Sequence, residues 1–268
     1  MTGFFDELGK KLAERWLTAL LLPGLLFTGA AGCARLLGHT HAVDQQAINE
    51  RMEQMTHDLQ GRPAAISVMV LSVLLLATGA GIAAQGMSTA VGKAWVARGP
   101  GWLINRRRKR AQVILGTGSF RPPTRYLPAR VTSIGDRFRM IDERVEAQYH
   151  LRVTLVWPRL WLLLDDSSRA VIQTVHVRYA AARTLTGWGV LYLTLGVMWW
   201  PVIVPGLAAI AVGWRRGIAA AGALADLIEA TVDTHQQALA SSLGVYLPHN
   251  RITEPEGMQI NDILNKRA

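Results

Sequence analysis

The chain has 268 residues, half of them hydrophobic, with 29 Lys and Arg against 19 Asp and Glu and a formal net charge of +10. The apolar residues are clumped rather than spread, which excludes one evenly cored soluble domain and points to membrane spans. A single cysteine, Cys33, excludes an internal disulfide framework.

Residues 1–15 read as an inner-face amphipathic helix, with Phe4, Leu8 and Leu12 on one face and Lys10, Lys11 and Arg15 off it. Residues 16–37 carry no charge before Arg35 and read as the first membrane span, with a kink expected at Pro23-Gly24. Within it Gly24, Thr28 and Gly32 recur every four residues. In the second span the same spacing relates Gly79, Ala83 and Met87, and also Ala77, Gly81 and Gln85. Small residues on one face let helices approach closely in lipid, so the two spans are expected to pack on each other or on neighbouring copies. Ala30-Ala31-Gly32-Cys33 allows two readings: a lipoprotein signal that leaves a lipidated cysteine, or a small residue in a packed span. Asp6, Glu7 and Glu14 in the leader, and Ala30 where such signals carry leucine, favour packing.

Residues 38–63 read as an outer loop. Asp44 caps an amphipathic helix carrying Ile48, Met52, Met55 and Leu59, and Gly61 with Pro63 ends it. His39 and His41 have no third ligand nearby and read as solvated loop residues rather than a metal site. Residues 64–87 carry no charge and read as the second span.

Residues 88–183 read as a basic cytoplasmic domain. Between Ser88 and Arg183 fall 18 of the basic residues against 6 acids, whereas the outer loop has Arg51 and Arg62 against Asp44, Glu50, Glu53 and Asp58. The positive-inside rule therefore puts both termini and the central segment in the cytoplasm. Arg106, Arg107, Arg108, Lys109 and Arg110 follow Trp95 and Trp102 closely after a span. Contact with anionic lipid headgroups explains that run with fewer assumptions than nucleic-acid binding, which needs aromatics aimed at bases. Residues 116–128 form a Gly and Pro linker whose Gly-x-Gly lacks the lysine of a phosphate loop.

A helix is expected over Ser133 to Tyr149, capped by Ser133, with Ile134, Phe138, Ile141, Val145 and Tyr149 on its apolar face. Leu151, Val153 and Leu155 alternate with polar residues as a short strand would, and Pro158 then starts a short helix. Its Leu160, Leu163 and Leu164 are expected to meet Phe138, Ile141 and Val145, while Trp157 and Trp161 couple this domain to the next membrane element. Asp165-Asp166-Ser167 then starts a helix of about thirty residues.

Residues 184–214 read as a membrane hairpin turning at Trp199, Trp200 and Pro201. Its return limb, Val202 to Trp214, spans about 20 Å as a helix, short of a full hydrocarbon layer. Arg215 and Arg216, which follow it, either snorkel to the inner headgroups or face a water-filled interior between copies, making them gate candidates. Residues 215–268 complete the chain as a cytoplasmic helix and tail. The fold class is thus mainly α: a four-crossing α-helical integral membrane protein with a small, mostly helical cytoplasmic domain.

No signature of hydrolysis, phosphoryl transfer, redox or metal catalysis is present, and the spans lack the midplane acids and lysines of an ion-coupled transporter. No catalytic residue, cofactor or metal is therefore expected. Through Ile134-Gly135-Asp136-Arg137, Tyr149-His150-Leu151 and Val156-Trp157-Pro158-Arg159-Leu160-Trp161-Leu162-Leu163-Leu164, the sequence resembles a group of actinobacterial multi-pass membrane proteins with a WPRLW core. The resemblance covers residues 126 to 244 and implies a membrane effector of antiviral defence. Two functions follow as expectations. One is a non-enzymatic effector that oligomerises and permeabilises the inner membrane. The other is an anchor whose basic domain recruits a cytosolic protein. Anionic lipids, further copies of the chain and a cytosolic partner are the expected contacts, and nucleic acid is not favoured.

Overall fold

The computed structural model describes residues 21–38, 49–50, 53–54, 57, 61–115 and 127–265. The lead-in helix, the start of the first span, the His39 and His41 pair, the linker before Leu127 and, in the outer-loop helix, Asp44, Ile48, Met52, Met55 and Leu59 lie outside these residues. Eight helices fill the described chain: α1 (Leu22–Leu37), α2 (Pro63–Val96), α3 (Gly101–Leu115), α4 (Ser133–Tyr149), α5 (Val153–Leu163), α6 (Asp166–Gly196), α7 (Ile203–Ser242) and α8 (Glu254–Leu264). A 3-10 turn, Trp200–Val202, joins α6 to α7. The chain divides into two compact units, residues 1–91 with 182–214, and residues 92–181 with 215–268.

In the first unit, composition dictates helices that are apolar all round. Two helical stretches, Pro63–Val96 and Trp200–Ser242, are long and apolar enough to cross a membrane, and four crossings are not established. Only 11% of the most apolar part of α2 is buried against the chain. Val68, Leu71, Leu75 and Leu76 are each more than half exposed on one side, Val70 and Leu74 are 49% and 38% exposed on the other, and every residue from Ile66 to Leu76 is exposed. Its hydroxyls turn inward to their own backbone: Ser67, Ser72 and Thr78 donate to the carbonyls of Pro63, Val68 and Leu74 at 3.0, 2.8 and 2.8 Å. Such back-bonding satisfies each hydroxyl without water, as a hydrocarbon environment demands.

Of the small-residue packing expected between α1 and α2 or with neighbouring copies, one contact is made within the chain, while Gly32 and Gly79 of the same faces meet nothing within 4 Å. Gly24 of α1 lies directly against Ala77 of α2, where a Cβ would fall 2.8 Å from the Ala77 carbonyl carbon. The two limbs of the hairpin approach in the same way, a Cβ on Gly189 falling 2.7 Å from the carbonyl oxygen of Gly206. Phe27 then fills the space beside the hairpin, its ring centroid 6.0 Å from that of Trp188 and 5.4 Å from that of Tyr192. Ala34, Leu195 and Val202 close a small core there with Trp199 against it. Gly38, at φ 58°, ends α1 in a conformation that favours glycine and returns its N–H to Ala34 at 3.1 Å.

The second unit is cored like a soluble helical domain. Ile141 and Val145 of α4, Val156 and Leu160 of α5, Val232 and Leu239 of α7 and Ile260 of α8 form one cluster. Each fully buried aliphatic side chain of this kind contributes about 1.5–3 kcal/mol. A second cluster joins Leu164, Ile172, Val175 and Leu224, with Trp157, Trp161 and Phe138 packed on it.

Three local expectations are corrected here. The segment around Leu151 is not a strand: α5 begins at Val153, no strand occurs among the described residues, and Pro158 sits inside the helix rather than at its start. The alternation of Leu151, Val153 and Leu155 was a short sample of a helical pattern, since burial falls on Val156, Leu160 and Leu164 at spacing four. The cap of α4 is Thr132, not Ser133, because the Thr132 hydroxyl accepts the Gly135 N–H at 2.9 Å. Leu160 joins Ile141 and Val145 and Leu164 lies with Phe138, but Leu163 is partly exposed. The helix of the return limb does not end at Trp214: α7 runs unbroken for 40 residues through Arg215 and Arg216, and the division between the two units falls between Trp214 and Arg215. Gly217 and Gly222 lie inside the helix, which ends at Ser242, before Gly244 at φ 71°.

Candidate functional site

The basic run of α3 is the densest charge in the chain, and helical geometry decides what it can do. Successive residues turn by about 100°, so Arg106, Arg107, Arg108, Lys109 and Arg110 cannot share one face. Arg107 turns inward and donates to a carboxylate oxygen of Asp136 at 2.7 Å, and also to the Arg130 carbonyl. Arg108 donates from Nε to the Pro128 carbonyl at 2.7 Å. Arg106, Lys109 and Arg110 stay exposed. Trp102, Arg106, Lys109 and Val113 follow at spacings of four, three and four and form one outward stripe, on which Trp102 and Val113 are 65% and 72% exposed. The stripe therefore sets exposed apolar groups beside exposed cations on one side of α3.

What fixes this surface is Asp136, which sequence reasoning did not single out. It is buried in the first turn of α4, where its Oδ1 accepts the backbone N–H groups of Ala129 and Arg130, both at 2.8 Å. Its Oδ2 takes Arg107, and the Nε of Arg139 lies 3.7 Å from Oδ1. Arg139 in turn donates to Glu143 at 2.7 Å and to the Leu127 carbonyl at 2.9 Å. The same loop closes the end of α2. Thr132 donates its hydroxyl to the Trp95 carbonyl, and Arg130 donates to the Val96 carbonyl at 3.0 Å, so two terminal carbonyls are capped by side chains. The available signal was an aspartate in a helix's first turn just after a short irregular segment.

The remaining predicted residues fall in separate places. Trp157 and Trp161 lie on one face of α5, ring centroids 6.2 Å apart, and pack on the Leu164, Ile172 and Leu224 cluster. Trp199 is half-buried beside Ala34 and Val202, whereas Trp200 is 48% exposed and follows exposed Val197 and Met198 at the turn. Pro201 lies within the 3-10 turn. Arg215 and Arg216 are exposed in mid-helix. No group of three His, Cys, Asp or Glu side chains suited to a metal occurs among the described residues.

Two electrostatic features mark the second unit. Burial, then the hydrogen bond its hydroxyl donates to Asp233 at 2.8 Å, pushes the Tyr149 phenol up to about 12. Asp165 is held well below the usual carboxylate range by the Ser167 and Ser168 groups it caps. Both stabilise architecture and neither forms a reactive pair.

The chain matches no family model, no curated protein and no solved structure. The WPRLW resemblance accordingly stands on its motif alone.

Proposed function

We propose that this chain is a non-enzymatic, multi-pass membrane protein of the inner membrane that holds a folded basic domain against anionic lipid and recruits a cytosolic partner. In this reading α1, α2 and the two hairpin limbs make four crossings, with both termini in the cytoplasm. The observation that carries it is the helix from Pro63 to Leu76, apolar and bare on every side, with hydroxyls bonded only to its own carbonyls. Water cannot cover such a helix at acceptable cost, and lipid can. The exposed stripe of Trp102, Arg106, Lys109 and Val113 supplies the headgroup contact, at about 1 kcal/mol per cation.

The anchor reading is preferred to the effector reading because α7 runs unbroken through Arg215 and Arg216, both exposed, so the arginine pair needs no water-filled interior between copies. Long arginine side chains on such a helix reach the headgroups by snorkelling. A specific observation keeps the effector alive as a second reading. Gly29, Gly32, Gly79 and Gly86 have open space where a Cβ would stand, so these faces are free to meet further copies in an oligomer of the kind antiviral effectors form.

Single cysteines placed in a Cys33→Ser background test the topology. Labelling by a membrane-impermeant maleimide at position 50 from outside, and at positions 168 and 241 only after permeabilisation, supports four crossings. Equal labelling of all three in intact cells overturns it. Leakage of dye-loaded liposomes carrying the purified protein favours the effector, and tight liposomes with a partner retained by the basic domain favour the anchor.

A further inference from the structure

Behind the outward stripe, the second unit contains a cavity of about 300 Å³ that includes Arg107, Ser133, Asp136, Arg137, Arg139 and Met140 in its lining. That volume is at the lower end of small-ligand sites. Three arginines and one aspartate share the lining, and the carboxylate is already spent: both Asp136 oxygens are engaged by Arg107 and by the Ala129 and Arg130 N–H groups. Arg107 is held by that pair, and Arg139 by Glu143 and the Leu127 carbonyl. Arg137 differs. It lies against Gly222, its Nη2 3.4 Å from where a Cβ would stand there, and makes neither a hydrogen bond nor an ion pair among the described residues.

Arg137, exposed and without an acceptor among the described residues, lines a concave site beside two fixed arginines, an arrangement suited to an oxyanion. The planar fork of guanidinium matches a phosphate's oxygens two at a time, and neighbouring cations already locked in place lose little freedom on binding. The Ser133 hydroxyl adds a neutral donor. Ile134 and Ile218 give the cavity an apolar side suited to a carbon skeleton attached to the anion. We propose that this cavity binds a phosphate group borne by a small organic or lipid ligand, with Arg137 as the donor that the fold leaves unused for it. The site is separate from the stripe of Trp102, Arg106 and Lys109, which touches headgroups without enclosing them.

The experiment is calorimetric titration of the full-length protein in detergent with inorganic phosphate, glycerol 3-phosphate and short-chain dihexanoyl phosphatidylglycerol. Saturable binding of at least one probe is expected, weakened about tenfold or more in Arg137→Gln, the loss that follows from removing one charged donor. The triple variant Arg106→Gln, Lys109→Gln, Arg110→Gln should retain the binding. Binding of the lipid probe alone identifies a headgroup as the source, and binding of glycerol 3-phosphate identifies a soluble phosphate ester. Either result supports the site. Because Arg137 is exposed and makes no hydrogen bond or ion pair among the described residues, its variant should unfold close to the parent midpoint, which separates lost binding from lost folding. Absence of saturable binding by every probe, or parental affinity in Arg137→Gln, overturns the proposal. The soluble probes decide this without reference to the membrane reading, so the two can fail independently.

Discussion

Replacing Asp136 by alanine should unfasten the loop over residues 127–132 from α3 and α4. The carboxylate accepts two backbone N–H groups at 2.8 Å and one guanidinium at 2.7 Å, and its side chain is 10% exposed. Each donor orphaned in a buried site costs about 1–3 kcal/mol. Arg107 is 29% exposed and can be partly rehydrated, so the total falls near the roughly 3–5 kcal/mol of a broken buried ion pair. Asp136→Asn keeps an oxygen for both N–H groups but sets an amide N–H donor where Oδ2 accepted from Arg107, so it breaks the ion pair, spares the backbone donors and should cost less than alanine. Denaturant unfolding in lipid nanodiscs measures the global loss. Hydrogen exchange at Ala129 and Arg130 measures the local one, which matters because the two units need not unfold together. A double-mutant cycle with Arg107→Met should return a coupling of about 0.5–3 kcal/mol. If Asp136→Ala changes stability by under about 0.5 kcal/mol, the range of an ordinary surface substitution, and leaves exchange at those amides unchanged, the assignment of Asp136 as the clamp is wrong.

Leu160→Ala should cost about 2–5 kcal/mol by opening a cavity, whereas Leu162→Ala, at a position 76% exposed, should stay within about 0.5 kcal/mol; equal losses in urea titration would contradict the helical register of α5. Polar replacement of Trp157 or Trp161, both only half-buried, should cost less than the roughly 3–5 kcal/mol of a fully buried tryptophan and should loosen α5 from the Leu164, Ile172 and Leu224 cluster, seen as faster exchange in α5. Gly24→Leu cannot be seated against the Ala77 carbonyl and should destroy close packing of α1 on α2, whereas Gly29→Leu, with open space around it, should be tolerated; a cysteine crosslink between the two helices that forms equally in both variants would count against the contact. Tyr149 carries a raised folded-state value, so it binds its proton more tightly folded than unfolded. Its contribution is complete below about pH 10 and is lost as pH rises toward about 12. Tyr149→Phe should remove that alkaline decline, and an unchanged slope between the two would refute the raised Tyr149 phenol as its source.

What the sequence could show depended on how far apart the deciding residues lie. Helix starts are local: Asp165 with Ser167 and Ser168, or an apolar face repeating through Ile141, Val145 and Tyr149, can be read within a few positions. The clamp at Asp136 joins residues 29 positions apart, and the run from Arg106 to Arg110 gives no sign of which member turns inward. The strand expectation at Leu151 failed for a related reason. Three alternating residues fit either period, and only the partners of Val156 and Leu160, on α4, α7 and α8, select the helix.

The same point explains why apolar length alone recovers only two long candidates while four crossings are proposed. A hydropathy test asks whether a window is uniformly oily, and α6 is not: Arg169, Arg178 and Arg183 precede its apolar half within one continuous helix. α1 is oily but has just 16 described residues, since the chain before Leu21 is outside the described part. A helix that begins in water and ends in hydrocarbon dilutes its own signal. Burial supplies what the average loses. From Ala182 to Gly189, α6 is occupied by the other helices of its unit, Gly187 against Ala84 and Gly189 against Gly206, while Val197 and Met198 at the far end are bare. A water-exposed turn would not leave Val197 at 77% exposure beside Trp200 with no polar residue between them. Lipid headgroups and acyl chains accept that combination, tryptophan at the boundary and aliphatics beyond it, which supports the proposed placement of the turn in the membrane.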